Sequence, residues 1–199
     1  QIGFDASANP PIGKVRGLVE HPVVSGVLGN IFPNAADIVS GRAQARIDLL
    51  ASGATLRQLG GTLSGEIAVT MPEGARLQTD LRQIKEVAAS SPPGWSSLPA
   101  GRLFLNSLMA RALVKDGTIA VEQIQGTAED VSITASGAVD VLRDVINLRV
   151  NVAPRAPPET QPSAKGTSAR VPSDTIEIYG ALGAPYVRPW SAPASSVTP

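Results

Sequence analysis

Cysteine is absent from the 199 residues, which removes disulfides, thiol catalysis and thiolate metal sites together; it fits an oxidising compartment without demonstrating one. Histidine occurs once, as His21. With no second ligand or nucleophile pattern beside it, it is expected to be a loop or helix-start residue rather than a base or metal ligand. Net charge is missing too: Lys plus Arg and Asp plus Glu both number 17, so no bulk field draws the chain to nucleic acid or an anionic surface. Aromatics are only 4% of the chain, so any core must be built from Val, Ile, Leu and Ala. No apolar run reaches the ~18 residues of a membrane-spanning helix. The first residue is Gln1, with no signal-peptide pattern after it, and the chain is expected to be a piece of something longer.

Reactive patterns are equally scarce. Gly60, Gly61 and Gly65 are not followed by the Lys-Ser/Thr of a phosphate loop, so turn and packing roles suffice for them. Asp48, Glu66, Glu122, Glu129, Asp130 and Asp140 stand in no spacing that defines a catalytic carboxylate pair. Trp95 and Trp190 lie among prolines and are expected to pack against the sheet. The expectation is therefore a protein without enzymatic activity, cofactor or metal.

What the chain does have is alternation. In "VSITASGAVDVLRDVINLRVNV" (131–152), Val131, Ile133, Ala135, Val139 and Val141 fall on one side and Ser132, Thr134, Ser136 and Asp140 on the other. After a break at 142–145, Ile146, Leu148, Val150 and Val152 oppose Asn147, Arg149 and Asn151. Such a period of two marks half-buried strands. The same beat runs through 43–51, 65–71 and 118–124, and a further strand is expected between 102 and 114. Asp116-Gly117 is a strong hairpin signal, and the short connections require antiparallel neighbours. "GEIAVTMPEG" (65–74) and "GTIAVEQIQG" (117–126) share both end glycines and Ile-Ala-Val, which suggests one device used twice.

Helical signals are fewer. Thr55 followed by Gln58 is a capping box opening a short helix at about 56–63. Leu77, Leu81, Ile84, Val87 and Ala88 make an amphipathic stripe, placing a helix near 77–90. Val23, Val24, Val27, Leu28 and Ile31 recur at helical spacing, with Gly26 and Gly29 weakening that helix. The expected organisation is an irregular leading segment with a short helix (1–40), a β-rich domain (41–153), a mobile Pro/Ala/Ser-rich loop (154–172), a final strand of the same domain (173–189) and a disordered tail (190–199). The expected fold class is α+β: a curved antiparallel sheet of six or seven strands with two or three short helices on one face or end.

The stretches "GRAQARIDLLASGATLRQLGGTLSGEIAV" (41–69), "KDGTIAVEQIQGTAEDVSITASGAVDVLRDVINLRVNV" (115–152) and "IYGALGAPYVRP" (178–189) together resemble the carboxy-terminal region of the AsmA family, envelope proteins of Gram-negative bacteria. A family "G-x-x-D-L" step is matched by Gly137-Ala138-Val139-Asp140-Val141, with Val in place of Leu. The closing "G-x-x-x-x-P" step is matched by Gly180 to Pro185. The family's amino-terminal membrane anchor has no counterpart in this sequence. The resemblance implies a curved sheet with an apolar concave groove, in the periplasmic part of an inner-membrane-anchored protein of outer-membrane biogenesis and phospholipid transport. Envelope proteins would be its other partners.

Physically, an acyl chain needs a continuous apolar trough, because each CH₂ left in water costs ~0.8 kcal/mol. The lipid-contact candidates are Ile119, Val121, Val131, Ile133, Val139, Val141, Ile146, Leu148, Val150, Val152, Ile176 and Ile178. Two other readings stand beside this one. The same alternation describes an ordinary sheet whose apolar face is covered by its own helix at 77–90. Alternatively, the domain is a periplasmic protein-interaction scaffold, binding through its open sheet edge or its helix without lipid.

Overall fold

The computed structural model of the chain describes residues 2–5, 7–23, 39–79, 92–94, 97–98, 100–155 and 174–190. In chain order the strands are β1 (Ile2–Asp5), β2 (Ile12–Val23), β3 (Val39–Ser40), β4 (Arg42–Ser52), β5 (Ser64–Met71), β6 (Ala75–Thr79), β7 (Ala100–Leu105), β8 (Ser107–Lys115), β9 (Thr118–Thr127), β10 (Val131–Asp140), β11 (Val145–Pro154), β12 (Asp174–Ala181) and β13 (Ala184–Pro189). One helix, α1 (Leu56–Thr62), lies between β4 and β5. Ten strands form a single antiparallel sheet in the order β1-β2-β4-β5-β8-β9-β10-β11-β12-β13. The other three form a small second sheet, β3-β6-β7.

This overturns the expected α+β class. The described residues hold ten strands in the main sheet rather than six or seven, and one helix rather than two or three. Part of the excess comes from the leading segment, where β1 and β2 replace the irregular stretch. Along β2, Val15 and Val19 alternate with Lys14, Arg16 and Glu20, but Gly13 and Gly17 occupy the other apolar-side positions, so the hydrophobic beat is half silent. The rest comes from 173–189, which is a hairpin of β12 and β13; the strand expected between 102 and 114 is two strands, of which β8 joins the main sheet and β7 the second.

The helix expected near 77–90 starts inside a strand. Ala75, Leu77 and Thr79 are buried and Arg76 and Gln78 exposed, a period of two that β7 fixes by pairing Leu77 with Leu103. Residues 80–91, and the helical stripe at 24–31, lie outside the described residues, as do 156–172 of the expected loop and 191–199 of the expected tail. The helix expected at 56–63 is α1, and its capping box forms: Thr55 Oγ1 accepts from Gln58 N at 3.2 Å, and Gln58 Oε1 accepts from Ala54 N at 2.9 Å.

The main sheet is an uninterrupted meander except where the chain leaves it to build the second sheet. Those exits cluster at one end of β4, β5 and β8. Gly74, with φ of 87°, turns β5 into β6, and a Cβ there would collide with Leu105 O. At Gly41, where β3 passes into β4, a Cβ would stand 2.5 Å from Met71 Cε. The two bends, from β3 into β4 and from β5 into β6, therefore nest against each other, with room only for hydrogen. This corner folds the second sheet back over the main one. Ala75, Leu77, Leu103 and Leu105 of β6 and β7 join Met71, Val131, Ile133, Val150, Val152, Ile176, Ile178 and Val187 in one buried core.

Candidate apolar trough

The strand registers arrange the apolar face of the main sheet in rows that cross the strands. One row runs Gly17, Ile47, Ile67, Ala112, Val121, Gly137, Leu148, Ile178 and Val187, from β2 to β13. The row towards the second sheet holds Val19, Ala45, Val69, Ala110, Ile124, Ala135, Val150, Ile176 and Pro189. On the other side lie Val15, Leu49, Gly65, Val114, Ile119, Val139, Ile146, Gly180 and Pro185. In these three rows no side chain is polar. β-bulges in β9, where Arg111 gives way to Ala112 across from it and Ala135 to Gly137, keep Val121 and Ile119 on this face after Ile124. Without that shift the remaining strand would present its polar side chains.

The opposite face is mixed, with cross-strand ion pairs beside the exposed Leu18, Leu50, Met109 and Leu113. Arg16 Nε donates to Asp48 Oδ2 at 2.8 Å, with Nη2 at 2.6 Å from the same oxygen. Arg111 lies 2.9 Å from Glu66 and 3.6 Å from Glu122, and Arg188 lies 2.7 Å from Glu177. Trp190 packs against the sheet on this face, where the Arg149 guanidinium of β11 stacks over its ring at 4.2 Å; Trp95 lies outside the described residues. The hydrogen bond from Arg16 holds the Asp48 carboxyl below its ordinary value of 3.8 and raises Arg16 above its own. Because folding lowers the Asp48 pKa, the pair's contribution is present above 3.8 and is lost as pH falls through the lower folded value. An NMR titration is expected to find Asp48 titrating below 3.8, and Arg16→Leu to move that midpoint upwards.

Coverage of the apolar face is uneven. Over the exit corner the second sheet buries Ala43, Met71, Ile133 and Val152. At the opposite ends of the strands, α1 meets the β8–β9 turn, where Gly117 N donates to Leu63 O at 3.3 Å. It also meets the β10–β11 turn, where Leu142 fills the space beside Gly60. There Val114 and Val139 are buried. Between these two covers Ile47, Ile67, Ala112, Val121 and Leu148 are only half-buried. They make a half-buried aliphatic band across the strands, the floor of the candidate trough.

The twelve sequence-derived candidates divide accordingly. Ile119, Val121, Ile146 and Leu148 lie half-buried on the apolar face. Val131, Ile133, Val150, Val152, Ile176 and Ile178 are sealed in the core beneath the second sheet, and Val139 is buried near α1. Among the described residues the cover is the second sheet, which takes up Leu77 of the expected helix; residues 80–90 of that helix lie outside the described residues. Val141 belongs to the turn after β10 and is 52% exposed; its place in the alternation does not survive the end of the strand. Sequence reasoning missed the other half of the floor, Val15, Ile47, Ile67 and Ala112. Its signal lay in the alternation at 43–51 and 65–71, which becomes part of the trough only when those strands join the same sheet as β8 to β13.

No group of three or more His, Asp or Glu side chains that could hold a metal occurs among the described residues, and no helix among them is long and apolar enough to cross a membrane. Comparison of the chain with protein-family models, with curated proteins and with solved structures gives no match. Geometry is thus the ground for a functional reading.

Proposed function

We propose that this chain is a non-enzymatic lipid-handling module, an AsmA-like periplasmic part of an inner-membrane-anchored protein of outer-membrane biogenesis, whose trough shelters phospholipid acyl chains. The observation that carries the reading is the set of three adjacent rows, each crossing nine strands without a polar side chain, left half-open between the second sheet and α1. A face of aliphatic side chains offers no hydrogen-bond partner, so it suits a ligand that needs none. Moving acyl CH₂ groups out of water onto it gains ~0.8 kcal/mol each when burial is complete.

Native mass spectrometry and organic extraction of gently purified protein are expected to recover phospholipid. Ile67→Asp, at the half-buried centre of the floor, is expected to abolish that recovery while circular dichroism retains the β spectrum. Protein that carries no phospholipid under any gentle preparation would overturn the proposal.

A second reading, an interaction scaffold for envelope proteins, draws on the edges of the main sheet. β1 is its terminal strand, and a peptide strand could add there by β-augmentation. Saturation of this edge by a partner without any bound lipid would favour it.

A further inference from the structure

We infer that the trough is polar in the directional sense: it is open at the β1–β2 end and blind at β12–β13, so a bound phospholipid lies with its acyl methyl ends towards β11 and its headgroup at the β2 end. This rests on the lipid-handling reading and goes beyond it by fixing the orientation of the ligand.

The apolar face is far more exposed at one end of its rows than at the other. At the near end Ile2 is 83% exposed, Val19 43% and Val15 41%; at the far end Ile178 is 7%, Ile176 2% and Val187 0% exposed. Both edges of the sheet follow the same asymmetry. Beyond β13 the edge is occupied, with Val187 N donating to Pro93 O at 3.0 Å and Gly94 bridging to Tyr186, and Pro185 and Pro189 withhold two backbone donors. β1 contains no proline and ends the sheet on the other side.

An amphiphile can enter such a channel one way round. The far end is walled by Ile176, Ile178 and Val187 beneath Leu77, Leu103 and Leu105, with no charged side chain in that cluster to receive a phosphate, and burying an unpaired charge there is prohibitive. Its hydrocarbon end meets no such penalty. Lengths agree: from β2 to β11 the row spans six strand spacings, ~29 Å at ~4.8 Å each. One acyl chain, about half of a ~30 Å bilayer core, covers about three of those spacings, reaching β8 from β2, and leaves the glycerophosphate outside. Along the path the floor is lowest at Ala112 and Gly137, where a chain can lie flat.

Photolabelling of the whole chain tests this. Vesicles of phosphatidylethanolamine and phosphatidylglycerol are doped with a phospholipid carrying a diazirine either at the acyl methyl end or next to the acyl carbonyl. After irradiation and proteolysis, adducts are mapped by mass spectrometry. Methyl-end adducts are expected in β8 and β9 and carbonyl-side adducts in β2 and β4. A reversed order, or the same strands labelled by both probes, overturns the orientation while leaving lipid binding intact. No adducts from either probe above those on an unrelated soluble protein overturn the lipid-handling reading itself.

Discussion

Ile176→Ala is expected to destabilise the protein by about 2–5 kcal/mol, the range for truncating a well-packed aliphatic residue, whereas Ile47→Ala should cost well under half as much. The two residues stand on the same face of the same sheet, and their sequence surroundings are alike. Ile176 is 2% exposed, paired with Val150 and Pro189 across the strands and roofed by the second sheet. Removing three carbons there leaves a cavity that neither layer can close, because both are pinned by backbone hydrogen bonds. Ile47 already shares its surface with water, so its truncation removes contacts without creating an enclosed void. Urea denaturation of both variants, read at constant m-value, measures the difference directly. Equal losses would mean that the face is covered uniformly, and the trough would not exist. With phospholipid bound, the Ile47→Ala loss should grow, since the ligand then supplies the missing cover.

The sequence carries the strands well where both sides of the alternation are written in side chains. Ser132, Thr134 and Ser136 against Val131, Ile133 and Ala135 leave no choice of face, and Asp116-Gly117 sets the hairpin before them; Asp116 does adopt a positive φ of 50°. Where glycine takes the apolar positions, as at Gly13 and Gly17, the same pattern goes silent and β2 reads as irregular. Leu77 shows the opposite problem. It satisfies a helical spacing with Leu81 and a strand spacing with Ala75 and Thr79, and only the partner strand β7, more than 20 residues later in the chain, decides between them.

The site was legible as chemistry but not as place. An aliphatic, unreactive face could be read from Val131 to Val152 directly. Which part of that face is roofed depends on how the chain bends at Gly41 and Gly74, because these positions aim β6 and β7 over β10 to β12 and over only the ends of β4 and β5, at Ala43 and Met71. Nothing local to Val150 or Ile176 records that decision. The candidates chosen for their clear alternation are, for that reason, largely the buried ones, and the open floor is made by less conspicuous residues such as Ala112 and Ile67.

Gly137→Ala is expected to be nearly as damaging as a core truncation, although it adds a single methyl group and Gly137 is exposed. Its φ of 150° lies where side-chain-bearing residues are rarely found, and a Cβ would run into Asn147 O and Leu148 Cα of the neighbouring strand. These are backbone atoms of β11, held in register from Val145 to Pro154, so they cannot yield as the end of a flexible side chain would. Backbone strain of this kind costs about 1–3 kcal/mol, and the clash adds to it or is relieved by separating β10 from β11. Gly65 repeats the arrangement at β5, with φ of 143° and Asp48 O in the place of Asn147 O; Gly65→Ala should therefore behave alike. If either variant melts within a degree of the parent protein, the strands at that point are more pliant than the register implies. If both fall by several degrees while Gly3→Ala, where no atom lies within 4 Å of the added methyl, does not, close strand approach at these two glycines is what sets the level of the trough floor.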